Sequence, residues 1–461
     1  MESQESGQST PGSQGLSPRR LDALSIFGRL LRTRHHLDFL TSLSDRDILQ
    51  IGFGANNTFM ASTPELANEV LRHTDIDKGG PLFERAKEVV GNSLTTCNRE
   101  EHRRQRRLVQ PAFHRSRMHA YASIMSAEIG AMSRSWHEGQ PVDIAAETND
   151  VVATILARTL FAGTLSTAEV AQVVSDIDTL VEVAAKRMIL PDWFSKIPTG
   201  DNHRYRASRR RLRGLMGRVA AAADGGSDYD DLVSMLLKSD DEGEGLSHSE
   251  VVDQMTLILI AGIDTTATAL AWALYLVSTH PAVERRLHTE VDSVLGGEPV
   301  ASHRHLGALT YTRHIVAETL RLFPPVWIVT RTAMSDVRIT QSVLIPAGST
   351  VIVSPYILHH RADVYPAPGQ FAPERWHNGA VPPGAYLPFG LGSRRCIGEH
   401  FAETELTLAL ASIAARWQLR PSSSLSTARP RPRLAASLRP PALPMTAHSR
   451  ARTHCRGNSI G

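Results

Sequence analysis

Apolar residues recur every three to four positions along most of this chain, the spacing of helices that bury one face. The pattern predicts helices over 102–110, 115–136, 143–161, 167–187, 203–222, 229–238, 248–278, 281–295 and 311–322. A further helix is expected from Glu399 to Trp417, with Phe401, Leu406, Leu408, Leu410 and Ile413 as its apolar residues. Thr63-Pro64-Glu65 places a capping threonine before a proline at the first helical position and starts a helix to Arg72. Strand-like runs are short and scattered: a hairpin over 47–60 around Asn56-Asn57, then 336–345 and 349–353. After Arg361 the chain turns Pro-rich and irregular up to a glycine-rich loop at 389–398. The expected fold class is mainly α with a small β-sheet region.

The longest apolar stretch, Met255 to Val277, could span a bilayer by length, but Asp264, Thr265, Thr266 and Thr268 interrupt its centre, where an ionisable group is costly in lipid. A buried core helix is expected there, hence no transmembrane segment. Met1–Arg20 is rich in Ser, Gln and Gly and reads as a disordered tail; 21–445 reads as a single domain; 446–461 reads as a basic, polar tail that frays. The apolar core of a signal peptide is missing. The three cysteines, Cys97, Cys396 and Cys455, make no disulfide framework, so a cytoplasmic setting is expected. Formal net charge is only +3, and the basic run His203–Arg213 reads as a solvated helix face, so no nucleic-acid partner is expected. Gly225–Asp231 and Ser239–Gly245 read as surface loops.

The segment Phe389-Gly-Leu-Gly-Ser-Arg-Arg-Cys-Ile-Gly398 carries the chemistry. Glycines let backbone N–H groups close around a sulfur, Phe389 can cover it, and the helix N-terminus that follows favours a thiolate at Cys396. Three other patterns look commonplace alone. Glu318-Thr-Leu-Arg321 is an ion pair on one helix face, with Phe371-Ala-Pro-Glu-Arg375 some fifty residues on. Ala261-Gly-Ile-Asp264-Thr265-Thr266 is a polar interruption whose threonines can bond back to carbonyls. His102-Arg-Arg-Gln-Arg106-Arg107 is a basic helix face that runs on to Pro111-Ala-Phe113.

Together, in this order, the four patterns resemble the cytochrome P450 family, over about residues 35 to 445. The resemblance implies that fold, with haem b (iron protoporphyrin IX) between a long central helix and the loop of Cys396, the axial thiolate and metal ligand. Cofactor-binding residues by resemblance are His102, Arg106, Ala261, Arg331, Phe389, Arg394, Cys396 and Gly398, with His102 standing where the family more often has tryptophan. Glu318, Arg321 and Arg375 are expected to form a structural charge network behind the haem. Thr265 is implied to hydrogen-bond the bound dioxygen, Asp264 to relay protons inward as the one charge aimed into the pocket, and Gly262 to leave room for the ligand.

A substrate pocket is implied at Pro81, Leu82, Phe83, Ile258, Ala261, Val326, Trp327, Ile328 and Val329, completed near Ser437-Leu438. Being apolar, it suits a small apolar substrate. Asp77-Lys-Gly-Gly-Pro-Leu-Phe83, His102–His114 and Arg321–Trp327 further resemble bacterial enzymes of sesquiterpene pathways, which oxidise cyclic hydrocarbons of the pentalenene kind. The implied activity is insertion of one atom of O2 into such a terpene, with electrons from a separate ferredoxin and ferredoxin reductase docking near Arg103, Arg104 and Arg107. Rival readings are a hydroxylase of fatty acids or polyketides, which an inward-facing cation would favour, and a haem-thiolate protein that binds ligands without turnover.

Overall fold

A computed structural model describes residues 19–22, 36–42, 48–53, 56–161, 165–189, 195, 197–224, 232–238, 245–341, 343–377, 381–423, 430–434 and 437–450. The expected tail at 1–18, the loops at 225–231 and 239–244, and Cys455 lie outside these residues.

The principal helices are α1 (Pro64–Arg72), α2 (Pro81–Val90), α3 (Arg99–Val109), α4 (Met118–Ser135), α5 (Ile144–Phe161), α6 (Thr167–Ile189), α7 (Gly200–Asp224), α8 (His248–Thr279), α9 (Pro281–Leu295), α10 (Thr310–Leu322) and α11 (Glu399–Arg416). Their starts follow the sequence. Thr63 caps α1 through the Leu66 N–H, and capping boxes Asn98/Glu101 and Ser247/Glu250 open α3 and α8. The long apolar α8 runs through the core against α5, α7, α10 and α11. By length and composition α8 could cross a membrane, yet its apolar faces are covered by protein. Trp272, fully buried, stacks on Phe323 at 4.1 Å and donates its indole N–H to the Leu438 carbonyl at 2.9 Å. A ring of this size contributes about 1.5–3 kcal/mol or more by burial alone.

The strands are β1 (Arg19–Asp22), β2 (Ile48–Phe53), β3 (Asn56–Ala61), β4 (Ile76–Asp77), β5 (Gln140–Asp143), β6 (Val329–Ala333), β7 (Thr350–Val353), β8 (Trp417–Pro421), β9 (Arg433–Leu434), β10 (Leu438–Arg439) and β11 (Pro444–Ser449). One six-stranded sheet has the order β1-β2-β3-β7-β6-β4, parallel at β1/β2 and β3/β7 and otherwise antiparallel. Its distant segments meet beside the cavity described below. A second sheet, β8-β11-β5, places the last strand in the centre. Residues 446–450 therefore do not fray: β11 is paired on both edges through Thr446 and Ala447, and Arg450 grips Asp292 at 2.8 and 3.1 Å. Alternation had hidden this strand because it is short and mixed in polarity. Likewise, Arg19 and Arg20, assigned to the N-terminal tail, pair with Leu49 and Gln50 in β1.

Candidate active site

Between α8 and the loop before α11 lies a cavity of about 480 Å³. Cys396 forms part of its floor. The loop is built as the glycines require. Gly390 and Gly392 take φ of 71° and 72°, and a Cβ on Gly392 would stand 2.3 Å from the Leu71 carbonyl oxygen of α1. The Cys396 N–H donates to the Phe389 carbonyl at 2.9 Å, and α11 starts three residues after the cysteine with Gly398 as its N-cap. The thiol surface is open to the cavity, while protein encloses it elsewhere. Burial therefore pushes the thiol above its ordinary value, and the Gly398 N–H acts in the opposite direction. A metal ion at this sulfur would remove the proton outright.

Behind the loop, the Glu318/Arg321 pair has no solvent exposure. Arg321 donates to both Glu318 oxygens at 2.8 Å, to the carbonyls of His359 and Pro368 at 2.8 Å, and to that of Gln370 at 3.1 Å. All five guanidinium N–H groups have partners, which a buried arginine needs to offset its desolvation. Glu318 also accepts from the Arg375 Nε at 3.4 Å, the Ala372 N–H at 3.1 Å and the Trp376 indole at 3.0 Å. The three expected network residues therefore meet. His359, not foreseen from sequence, extends the network: its Nε2 accepts the Leu387 N–H at 2.8 Å, so Nδ1 carries the proton and donates to the Arg321 carbonyl at 3.2 Å. Burial pushes this histidine down to about 3.

The cavity rim is cationic. Lys78, His102, Arg106, Arg331, Arg394 and Arg395 line it, and among the described residues no carboxylate does. Burial, helped by Arg394, Arg106 and Lys78, pushes His102 down to about 3, so it is a neutral imidazole. Arg106 clamps the cysteine loop, donating from Nη1 to the carbonyls of Arg395 at 2.8 Å and Ser393 at 3.1 Å. Arg394 points its fork at Asp77 at 2.9 and 2.7 Å, tying the loop to β4. Burial raises the Asp77 carboxyl, but Arg394 outweighs this and holds it below the usual carboxylate range. Arg331 is buried, pulled down to about 10 by burial and still charged at neutral pH.

The walls are apolar: Phe83, Val109, Phe113, Leu156, Leu257, Ile258, Ala261, Val326, Val329 and Phe389. Phe83, Ile258 and Val326 line the cavity as expected. Pro81 and Leu82 lie in α2, their side chains outside the described residues. Trp327 and Ile328 are not on the wall. Trp327 packs with Leu49, Met60 and Ile357 instead, because neighbours in an extended segment take opposite sides. Val329, from the same expected segment, does line the wall, and Pro325 and Thr330 join it. Leu438 is also elsewhere, buried against Trp272.

On α8, Thr265 and Thr266 line the cavity and Asp264 does not. Asp264 faces a separate cleft with Asp178 and Arg439, and is ion-paired to Arg439. The inward charges are thus cations and not Asp264: Arg106, Arg331 and Arg394 are expected at the site from sequence, and Lys78, inside the Asp77–Phe83 segment, has no role assigned there. Gly262 is set by packing: a Cβ there would stand 2.7 Å from the Leu156 Cδ1 of α5. Thr265 donates to the Ala261 carbonyl at 2.6 Å, leaving its oxygen lone pairs to accept.

A thiol on the floor, apolar walls and an unbalanced cationic rim fit a flat apolar macrocycle that carries two carboxylates and takes one soft axial ligand. The family model for cytochrome P450 matches residues 18–445. The chain belongs to the cytochrome P450 family. As a P450 it is a haem-thiolate monooxygenase. It is 40% identical over 421 residues (89% of this chain, 91% of the relative) to cyclooctatin synthase of Streptomyces melanosporofaciens. It is 36% identical over 397 residues (84% and 86%) to cyclooctat-9-en-7-ol 5-monooxygenase of the same organism. It is 38% identical over 394 residues (84% and 87%) to pentalenene oxygenase of Streptomyces avermitilis.

Proposed function

We propose that this P450 inserts one atom of O2 into a terpene skeleton in secondary metabolism, as a cytoplasmic enzyme using haem b. The carrying observation is the apolar chamber between α8 and the Cys396 floor, with Thr265 on its α8 wall. The names of the three relatives supply the terpene class. Haem, held by the Cys396 thiolate, supplies the iron at which dioxygen is activated. Arg331 and His102 would meet its propionates, while Arg106 and Arg394 hold the loop that carries the sulfur. Ala261 and Phe389 bound its faces, and Gly398 holds the sulfur by its N–H. Phe83, Ile258 and Val326 exclude water and orient the hydrocarbon. Thr265 would hold a water by accepting a hydrogen bond from it, so that this water passes the proton into the chamber, and Asp264 would draw protons from its own cleft. The catalytic unit is assigned to 21–450.

Electrons come from a ferredoxin and its reductase. Support lies on the Cys396 side of the molecule, where Arg72, Arg99, Arg103, Arg107, Arg117 and Arg395 line one broad groove, a surface for an acidic partner. Arg104 is not part of it: it pairs with Glu250 and the Gly245 carbonyl.

The test has three steps. Reduced protein with carbon monoxide should show the strongly red-shifted Soret band of thiolate ligation. Terpene hydrocarbons should then shift the ferric spin state, and with ferredoxin, reductase and NADPH give products one oxygen heavier. Thr265→Ala should keep the band and raise peroxide released per electron consumed. A normal band with no spin shift from any terpene, but one from fatty acids, would overturn the substrate class.

A further inference from the structure

We propose that the Thr266 hydroxyl binds a hydroxyl group on the substrate, so that the enzyme takes a terpene alcohol in preference to the bare hydrocarbon. The inference rests on the terpene reading of the same chamber and narrows it. Thr266 stands on the face of α8 that carries Ile258, Ala261, Gly262, Thr265 and Ala269 to the cavity. It is only 4% exposed. Among the described residues no group donates to its hydroxyl or accepts from it. A buried threonine in a helix has a ready acceptor in the carbonyl four residues back. Thr256 and Thr265 of α8 use theirs, donating to Val252 at 2.7 Å and to Ala261 at 2.6 Å. Thr266 does not use that of Gly262. Its proton and its lone pairs are left for whatever fills the cavity.

The other uncharged polar side chains of the wall are differently placed. Gln254 is fully buried and already committed: its Oε1 accepts the Leu94 N–H at 3.1 Å, and its Nε2 donates to the Gln105 Oε1 at 2.9 Å. Thr265 has given its proton to Ala261 and can only accept. Thr95 and Thr330 are half-buried, so water can serve them. Thr266 combines burial with an unpaired hydroxyl, and such a group costs stability until a ligand pairs with it. An alcohol is its match, because each hydroxyl brings one donor and two lone pairs. A substrate of this kind places the enzyme after a step that installs the hydroxyl. That step is a cyclisation that ends when water adds to a carbocation and a proton leaves, or an earlier oxygenation.

Moving an alcohol from water into an apolar chamber without a partner costs more than moving its hydrocarbon, so an unassisted chamber binds the hydrocarbon tighter. A preference for the alcohol is therefore diagnostic. Wild-type, Thr266→Val and Thr266→Ser holoenzymes are prepared, and an unchanged carbon monoxide Soret band certifies that the thiolate site is intact. Valine keeps the branched shape without the hydroxyl, and serine keeps the hydroxyl. Spin-state titrations compare cedrene with cedrol, farnesene with farnesol, and dodecane with dodecan-1-ol. Wild type should bind the alcohol of at least one pair about tenfold tighter than its hydrocarbon. Thr266→Val should lose that factor with hydrocarbon binding unchanged, and Thr266→Ser should keep it. No preference for an alcohol in any pair, or a preference that survives in Thr266→Val, overturns the proposal. So does an equal weakening of alcohol and hydrocarbon in Thr266→Val, which would make Thr266 a packing residue. A preference that depends on Thr266 but is confined to dodecan-1-ol, with no response to any terpene, would uphold Thr266 and overturn the terpene reading.

Discussion

Asp264 and Thr265 are neighbours in sequence that face different spaces: Thr265 lines the cavity above Cys396, and Asp264 an outer cleft where Arg439 of β10 bridges it to Asp178 of α6. One residue step along a helix turns a side chain by about 100°, so α8 stands as a wall between the two. Burial works against the Arg439 charge, but Asp264 and Asp178 outweigh it and raise its pKa. Asp264 can reach the cleft's water only if Arg439 lets go. Removing the arginine leaves a buried carboxylate without its cation. Arg439→Met should cost about 1–3 kcal/mol, less than the about 3–5 kcal/mol of a fully buried pair because the arginine is partly exposed. Asp264→Asn/Arg439→Met should recover most of it by denaturant titration. Asp264→Asn alone should slow turnover by about 10²-fold with a larger solvent isotope effect. An unchanged isotope effect would remove Asp264 from proton delivery.

Glu318→Gln keeps the shape of the side chain but leaves Arg321, fully buried, without its anion. Breaking such a pair costs about 3–5 kcal/mol. Because His359 and Tyr386 tie the network to the segment leading into the cysteine loop, the loss should reach Cys396. Haem per polypeptide should fall steeply, with the red-shifted carbon monoxide band lost. Full haem content in a soluble variant would show that the loop holds its shape alone.

The site was legible where chemistry demands a fixed short spacing. The Gly390, Gly392 and Cys396 loop, the Glu318/Arg321 turn and the α8 threonines all lie within one helix turn or one loop, and the structure keeps each together. Partners brought from afar were not legible. Arg439 reaches Asp264 from a two-residue strand 175 positions away, and nothing in its own neighbourhood of prolines and arginines marks it. Lys78 is a single lysine next to two glycines, and its burial depends on β6 and the cysteine loop closing over it. Gly262, read as leaving space for a ligand, does line the cavity, but the contact that forbids a side chain comes from Leu156 on another helix. Helix limits came through well because caps are local, and β11 did not because its partners β5 and β8 are remote.

Gly262→Ala places a methyl 2.7 Å from the Leu156 Cδ1. Alanine gains about 1 kcal/mol in helix propensity, while overpacking costs about 1–3 kcal/mol. The net expectation is destabilisation by about 0–2 kcal/mol, nearest zero if the leucine side chain moves aside. Leu156→Ala in the same chain should turn Gly262→Ala from harmful to neutral or helpful. Thermal melts of the four proteins in the cycle decide it; additive effects would mean that the two residues do not touch.

Glu405 of α11 is buried, and among the described residues neither of its carboxyl oxygens has a hydrogen-bond partner. Burial raises its pKa well above the ordinary value. A raised carboxyl stabilises the fold in full below its unfolded value of about 4.3, and that contribution is lost as pH rises through the folded value. Glu405→Met should therefore stabilise the protein by about 1–3 kcal/mol at alkaline pH, and less toward pH ~5. Urea midpoints of the two proteins across this range test it. A constant difference at every pH would mean that Glu405 finds a partner in solution.

His359 gives the opposite sign of pH dependence. Its folded value of about 3 lies below an unfolded value of about 6.5, so its full contribution is present above pH ~6.5 and is lost as pH falls toward 3. Within that window the loss is about 1.4 kcal/mol per pH unit. His102 and His360, held by burial near 3 and 4, add in the same direction. Acid should therefore release haem before most carboxylates are protonated, because His359 must give up the Leu387 N–H when its Nε2 takes a proton. His359→Gln keeps a neutral acceptor. It should be less stable by about 1–3 kcal/mol at pH ~7.5 from the poorer fit. Its stability should fall more gently below pH ~6.5, by about 1.4 kcal/mol per unit less than wild type. The measurement is the urea midpoint of both proteins from pH ~7.5 to ~4.5, with haem release followed in the same samples. Parallel curves would show that the acid sensitivity arises elsewhere.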